Sequence, residues 1–142
     1  MKPTLQNTAL AGIAGTIVMT VVTFLAPYMG LPKMSPPEML ASMMGFPVIV
    51  GWAAHFMIGV IFALGYSYLF LQLLKTSNLI VKGALFGIAV FVFAQIMMAV
   101  MGAVLGGMPK PESGMALLIV GSLIGHIMYG VPVAFIAKPQ SV

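Results

Sequence analysis

The sequence predicts an all-α integral membrane protein, a four-transmembrane-helix bundle made of two tandem two-helix repeats. Three observations predict it: a composition almost free of charge, four apolar stretches of bilayer-crossing length, and matches between the two halves at a constant offset. Of 142 residues, 61% are hydrophobic and only 6% are charged. A soluble domain carries about 25% charged residues, because its surface must be wetted. Six lysines and two glutamates cannot cover such a surface, so the expected solvent is lipid.

The net charge of +4 comes from lysines scattered singly along the chain, with no basic stripe, which excludes a nucleic-acid partner. The absence of cysteine excludes disulfides, thiolate metal sites and cysteine nucleophiles.

A bilayer core of about 30 Å needs about 20 mostly apolar residues per helix. The first stretch, 8–29, follows Lys2 and superficially resembles a secretory leader. It runs on without a small-x-small cleavage site, so it is expected to be a retained span. Gly30-Leu31-Pro32-Lys33 ends it and opens an outer loop over 30–46. Within that loop Ser35-Pro36-Pro37-Glu38 has the S-x-x-E form of a capping box, predicting a short helix from Met39 to Met44. The second span, 47–73, opens at Pro47 and ends at the turn Lys75-Thr76-Ser77-Asn78. The third, 79–106, stops at Gly106-Gly107, and an outer loop over 107–113 leads into the fourth, 114–137. The first helix pair is therefore 1–78 and the second 79–142.

Lysine asymmetry sets the expected orientation. Lys2, Lys75, Lys82 and Lys138 fall on one side with no acid, whereas Lys33 and Lys110 on the other are each followed by a glutamate. Both termini are thus expected on the cytoplasmic side of the cytoplasmic (inner) membrane.

The halves match at an offset of 71 residues: Gly12 with Gly83, and His55 with His126. His55-Phe56-Met57-Ile58-Gly59-Val60 aligns with His126-Ile127-Met128-Tyr129-Gly130-Val131. The outer loops repeat a Pro-Lys and a Pro-Glu, though with gaps. Parallel repeats of this kind relate by an axis along the membrane normal.

Both histidines sit in four-residue-spaced stripes of small residues, which let membrane helices approach closely. One stripe is Gly51, His55, Gly59 and Ala63; the other is Ser122, His126, Gly130 and Ala134. These faces are expected to point into the bundle and bring the imidazoles together. An intramembrane histidine demands a partner. The preferred reading is a hydrogen bond across a helix seam, to Thr16, Thr20, Thr23, Gln95 or the Met128 carbonyl freed by Pro132. The second is axial ligation of a b-type haem by His55 and His126. A copper variant using Met57 and Met128 is disfavoured, because residues two apart on a helix diverge. The fourteen methionines read as flexible apolar filler. Tyr28, Trp52, Tyr66 and Tyr68 read as interfacial anchors.

No carboxylate lies within a span, and no catalytic triad, phosphate loop or zinc motif is present, so no catalytic or metal site is assigned. Lys33, Glu38, Lys110 and Glu112, on proline-stiffened outer loops, are candidate recognition residues. The expected function is that of a non-enzymatic membrane subunit without a cofactor, packing in lipid against a larger membrane complex or copies of itself. A haem b or metal-binding electron-transfer protein is the alternative, and an oligomeric channel or transporter the third reading.

Overall fold

The computed structural model describes residues 3–105 and 114–138. Among them are four helices long and apolar enough to cross a membrane. Helix α1 (Leu5–Leu25) begins at Thr4, whose side-chain oxygen accepts from Asn7 N, and tightens into a 3₁₀ turn over Ala26–Met29. Gly30, at φ 80°, ends that turn with a Schellman pair: Gly30 N–H donates to Pro27 O and Leu31 N–H to Ala26 O. Helix α2 (Pro36–Met44) closes in the same way at Gly45, φ 68°.

The short helix starts three residues earlier than its sequence implies. Proline fixes φ near the helical value and needs no N–H partner in the first turn, so Pro36 and Pro37 can begin it. Ser35 occupies the N-cap position but makes no side-chain cap hydrogen bond, so the expected capping box does not form.

Helix α3 (Val48–Gly65) passes through a π-turn at Tyr66–Phe70 and reaches Leu73. Asn78 then starts α4 (Leu79–Leu105) by accepting from the backbone of Ile80 and Val81. Helix α5 (Met115–Ile136) carries Pro132 in its interior. These bounds lie within three residues of the expected spans, and the outer loop 107–113 lies outside the described residues.

Helices α1 and α5 pack together at the centre, with α3 against α1 and α4 against α5. Glycine makes both outer pairings possible. A methyl group on Gly12 would lie 2.6 Å from Val60 Cα and 2.8 Å from Gly59 O. One on Gly83 would lie 2.6 Å from Val131 Cα and 2.7 Å from Gly130 O. The same backbone atoms, 71 positions apart, form both crossings. The central pair meets where Gly15 lies under Tyr129 and Val133.

Helices α3 and α4 largely stay apart at the backbone and meet through rings: Phe62–Phe93 at 5.6 Å, Tyr66–Phe86 at 4.9 Å and Phe70–Phe86 at 5.1 Å. The end of the bundle away from α2 is filled by a core that includes Ala11, Ala63, Tyr66, Phe86, Val133 and Ala137. Tyr66 therefore departs from its expected anchoring role: it is wholly buried in this core, and its hydroxyl has no hydrogen-bond partner among the described residues. Tyr28, Trp52 and Tyr68 are exposed.

Gly12→Ala and Gly83→Ala should each destabilise the bundle by about 1–3 kcal/mol, because the added methyl meets backbone that cannot move alone. Gly65 has open space around its Cβ position, so Gly65→Ala should be neutral or stabilising by about 0.5–1 kcal/mol. Detergent-solubilised protein titrated with SDS and followed by circular dichroism measures the order of the three.

A candidate ligand site between two histidines

The first small-residue stripe is the buried face of α3: Gly51, His55, Gly59 and Ala63 are its buried residues. Each meets a defined neighbour. Gly51 lies against the Pro37 carbonyl of α2, and Gly59 against the Thr16 hydroxyl and Gly12 carbonyl of α1. The second stripe is split. Gly130 and Ala134 are buried, and Gly130 lies against Gly83 and Gly87 of α4. Ser122 and His126 are half-buried, and a second buried row, Gly121, Gly125 and Tyr129, faces the other way. Gly125 meets Thr23 and Met19 of α1. Sequence spacing missed this row because α5 packs on two sides, against α4 and against α1, and a single stripe describes only one of them.

His55 and His126 line a single half-enclosed cavity of about 1220 Å³, between α3 and α4 and at the α2 end of the bundle. All four long helices and α2 contribute to it. Its walls are mainly apolar, with Ile58 and Phe62 on one side and Phe93, Met97 and Met101 on the other. Seven of the fourteen methionines reach it, whereas Met57 and Met128, two residues beyond each histidine, do not. Lys33 and Glu38 line its rim, both exposed. Lys110 and Glu112 lie outside the described residues.

The two imidazoles are held differently. His55 Nε2 is 3.2 Å from Thr20 Oγ1, while that hydroxyl donates to Thr16 O at 2.7 Å. The shorter bond takes the hydroxyl proton, so His55 Nε2–H donates to Thr20. His126 Nδ1 is 2.7 Å from the Ser122 carbonyl, an acceptor only, so His126 carries its proton on Nδ1. Ser122 Oγ is 3.4 Å from the same nitrogen and accepts from Gln95 Nε2 at 3.4 Å. Of the expected partners, Thr20 holds His55 directly and Gln95 reaches His126 only through Ser122. The Met128 carbonyl takes no bond from His126; the partner is one turn back along the same helix. Sequence offered a signal for this in the Ser-x-x-x-His spacing, since Ser122 stands four residues before His126.

His55 Nδ1 and His126 Nε2 have no hydrogen-bond partner among the described residues. No carboxylate lies in the four helices to offset an imidazolium, so both rings are taken as neutral, with a lone pair on each remaining nitrogen. Three neighbouring hydroxyls have committed their protons: Thr16 donates to Gly12 O, Thr23 to Thr20 O and Tyr129 to Gly59 O, whereas the Ser122 hydroxyl, which accepts from Gln95, keeps its own. No group of three or more metal-ligating side chains is found among the described residues.

Four long apolar helices around a partly polar cavity define a small all-helical protein of membrane-protein composition. The chain belongs to the family of unknown function DUF6789, whose pattern matches residues 3–138. No curated protein and no solved structure matches it.

Nitrogen-15 spectra of histidine-labelled protein should show two neutral rings of opposite tautomer, Nε2–H for His55 and Nδ1–H for His126. Thr20→Val should alter the His55 signals alone. Two identical tautomers would contradict the hydrogen-bond assignment.

Proposed function

We propose that the chain is a non-enzymatic integral membrane protein that holds a lipophilic ligand in the cavity between His55 and His126. One observation carries the proposal: the only two histidines line the same apolar cavity, and each keeps one ring nitrogen without a partner among the described residues. Ligand sites are typically about 300–1,000 Å³, apolar, with a few polar groups that fix orientation. This cavity is of that kind and slightly larger.

The proposed setting is a cytoplasmic membrane crossed four times, with both termini and the 75–78 turn inside. The lysine asymmetry supports it, as does a broad belt of exposed apolar side chains such as Phe24, Ile49, Leu69 and Leu73. The proposed architecture is a duplicated helix pair, supported by the equal offset of the Gly12–Val60 and Gly83–Val131 crossings. Assembly with other subunits or with copies of the chain would use the exposed belt, because the glycine stripes are occupied within the chain. Conduction through one protomer finds no support, since the far half of the bundle is filled.

Haem b is the second reading, favoured by His126. A metal-bound histidine commonly donates its other ring N–H to a carbonyl, as His126 does to Ser122. His55 fits less well: its Nε2 is occupied by Thr20, so Nε2 ligation from both sides requires it to turn away from that hydroxyl.

The test is extraction of protein purified in mild detergent, together with oxidised and dithionite-reduced spectra. A colourless protein yielding a near-stoichiometric lipophile, reduced in His126→Leu, is the expected result. A Soret band lost in His126→Ala would establish the haem reading instead. A colourless protein with no enriched lipophile would overturn both.

The cysteine-free sequence allows orientation to be read cleanly. Lys33→Cys should react with an impermeant maleimide on intact cells, and Ser77→Cys only after permeabilisation. The reverse pattern would invert the proposed topology.

A further inference from the structure

We propose that the ligand is a lipophilic quinol, an aromatic ring carrying two hydroxyls and an apolar tail, held in preference to its quinone. This rests on the cavity-binding reading and adds the chemical class. Most protons of the site are already committed. Thr16, Thr23 and Tyr129 each donate to a backbone carbonyl, and the two imidazole N–H groups donate to Thr20 Oγ1 and Ser122 O. Each ring keeps one lone pair, on His55 Nδ1 and on His126 Nε2. The free donors are the Ser122 hydroxyl and the second amide proton of Gln95, both in one corner beside His126, and the groups at the rim, Lys33 and Ser35.

A guest that matches two acceptors must bring two donors. A quinol does so, whereas a quinone of nearly the same shape sets its own lone pairs against those of the imidazoles. An unmatched buried polar group costs about 1–3 kcal/mol, which decides between two guests of equal apolar area. The walls suit a substituted ring: Phe62 and Phe93 offer aromatic edges, and the methionines of α4 adapt to irregular outlines. The tail has an exit where α3 and α4 stay apart, past Ile61 and Met97, both exposed apolar residues on the cavity lining.

The test is anaerobic calorimetric titration of the full chain in lipid nanodiscs with a decyl-substituted benzoquinol and with the corresponding benzoquinone. The quinol should bind at least about ten-fold more tightly. His126→Leu should remove most of that difference by weakening the quinol, with quinone affinity unchanged. His126→Gln, whose amide oxygen can accept, should restore part of it and shows that loss in the leucine variant is not misfolding. Quinone bound as tightly as quinol would overturn the inference. Neither bound, with another lipophile extracted from the native protein, would overturn the quinol class and leave the cavity-binding reading standing. Neither bound and nothing extracted would overturn both.

Discussion

Two points of backbone contact, Gly12 on Gly59–Val60 and Gly83 on Gly130–Val131, set what the rest of this molecule can do. In the membrane setting proposed for this chain, helices gain nothing from hiding apolar surface from one another, because lipid tails are as apolar as leucine. Association then depends on close van der Waals contact and on hydrogen bonds that distance would forbid. At both crossings the missing Cβ lets one helix rest directly on the backbone of the next. Thr16 uses the space left at Gly59, turning its hydroxyl back to the Gly12 carbonyl. Helices α1 with α3 and α4 with α5 become tight pairs, and the Gly15–Tyr129 contact joins them through α1 and α5. Nothing comparable joins α3 to α4. The cavity is the consequence of that omission.

The polar groups follow the same logic. A hydroxyl among apolar helices must give its proton to something near, and threonine can give it to its own helix one turn back. Thr16 and Thr20 both do so, and Tyr129 reaches across from α5 to the Gly59 carbonyl. The two histidines occupy corresponding places but have dissimilar neighbours. Thr20 supports His55; 71 residues further on stands Phe91, whose ring lies 5.9 Å from that of His126. Lacking a threonine there, His126 turns to Ser122 on its own helix. The result is a pair of imidazoles that share a cavity and present different ring nitrogens, one Nδ1 and one Nε2.

Much of this was legible in the sequence, for reasons that local pattern can carry. Helix lengths follow from apolar runs and their punctuation: Gly30 and Gly45 stop helices at positive φ, as glycines in such loops do. The buried face of α3 followed from four-residue spacing. What escaped was anything that depends on which helices are neighbours. When exposed residues are as apolar as the core, periodicity ceases to separate the faces of a helix. Tyr66 therefore read as a surface anchor but lies against Phe86, and Gly125 read as nothing but meets α1. The methionines looked evenly spread along the chain, yet the gap between α3 and α4 gathers half of them on one cavity.

The central claim is that His55 and His126 face one another across a shared cavity. A double variant, His55→Cys with His126→Cys, tests it directly in a chain that has no other thiol. A short, membrane-permeant bis-maleimide should bridge the two cysteines within one chain, detected as a single intramolecular adduct by intact-mass spectrometry. Each single variant should take up the reagent without bridging. Two separately modified cysteines in the double variant, with no bridged species, would show that the side chains do not share a cavity and would contradict the account.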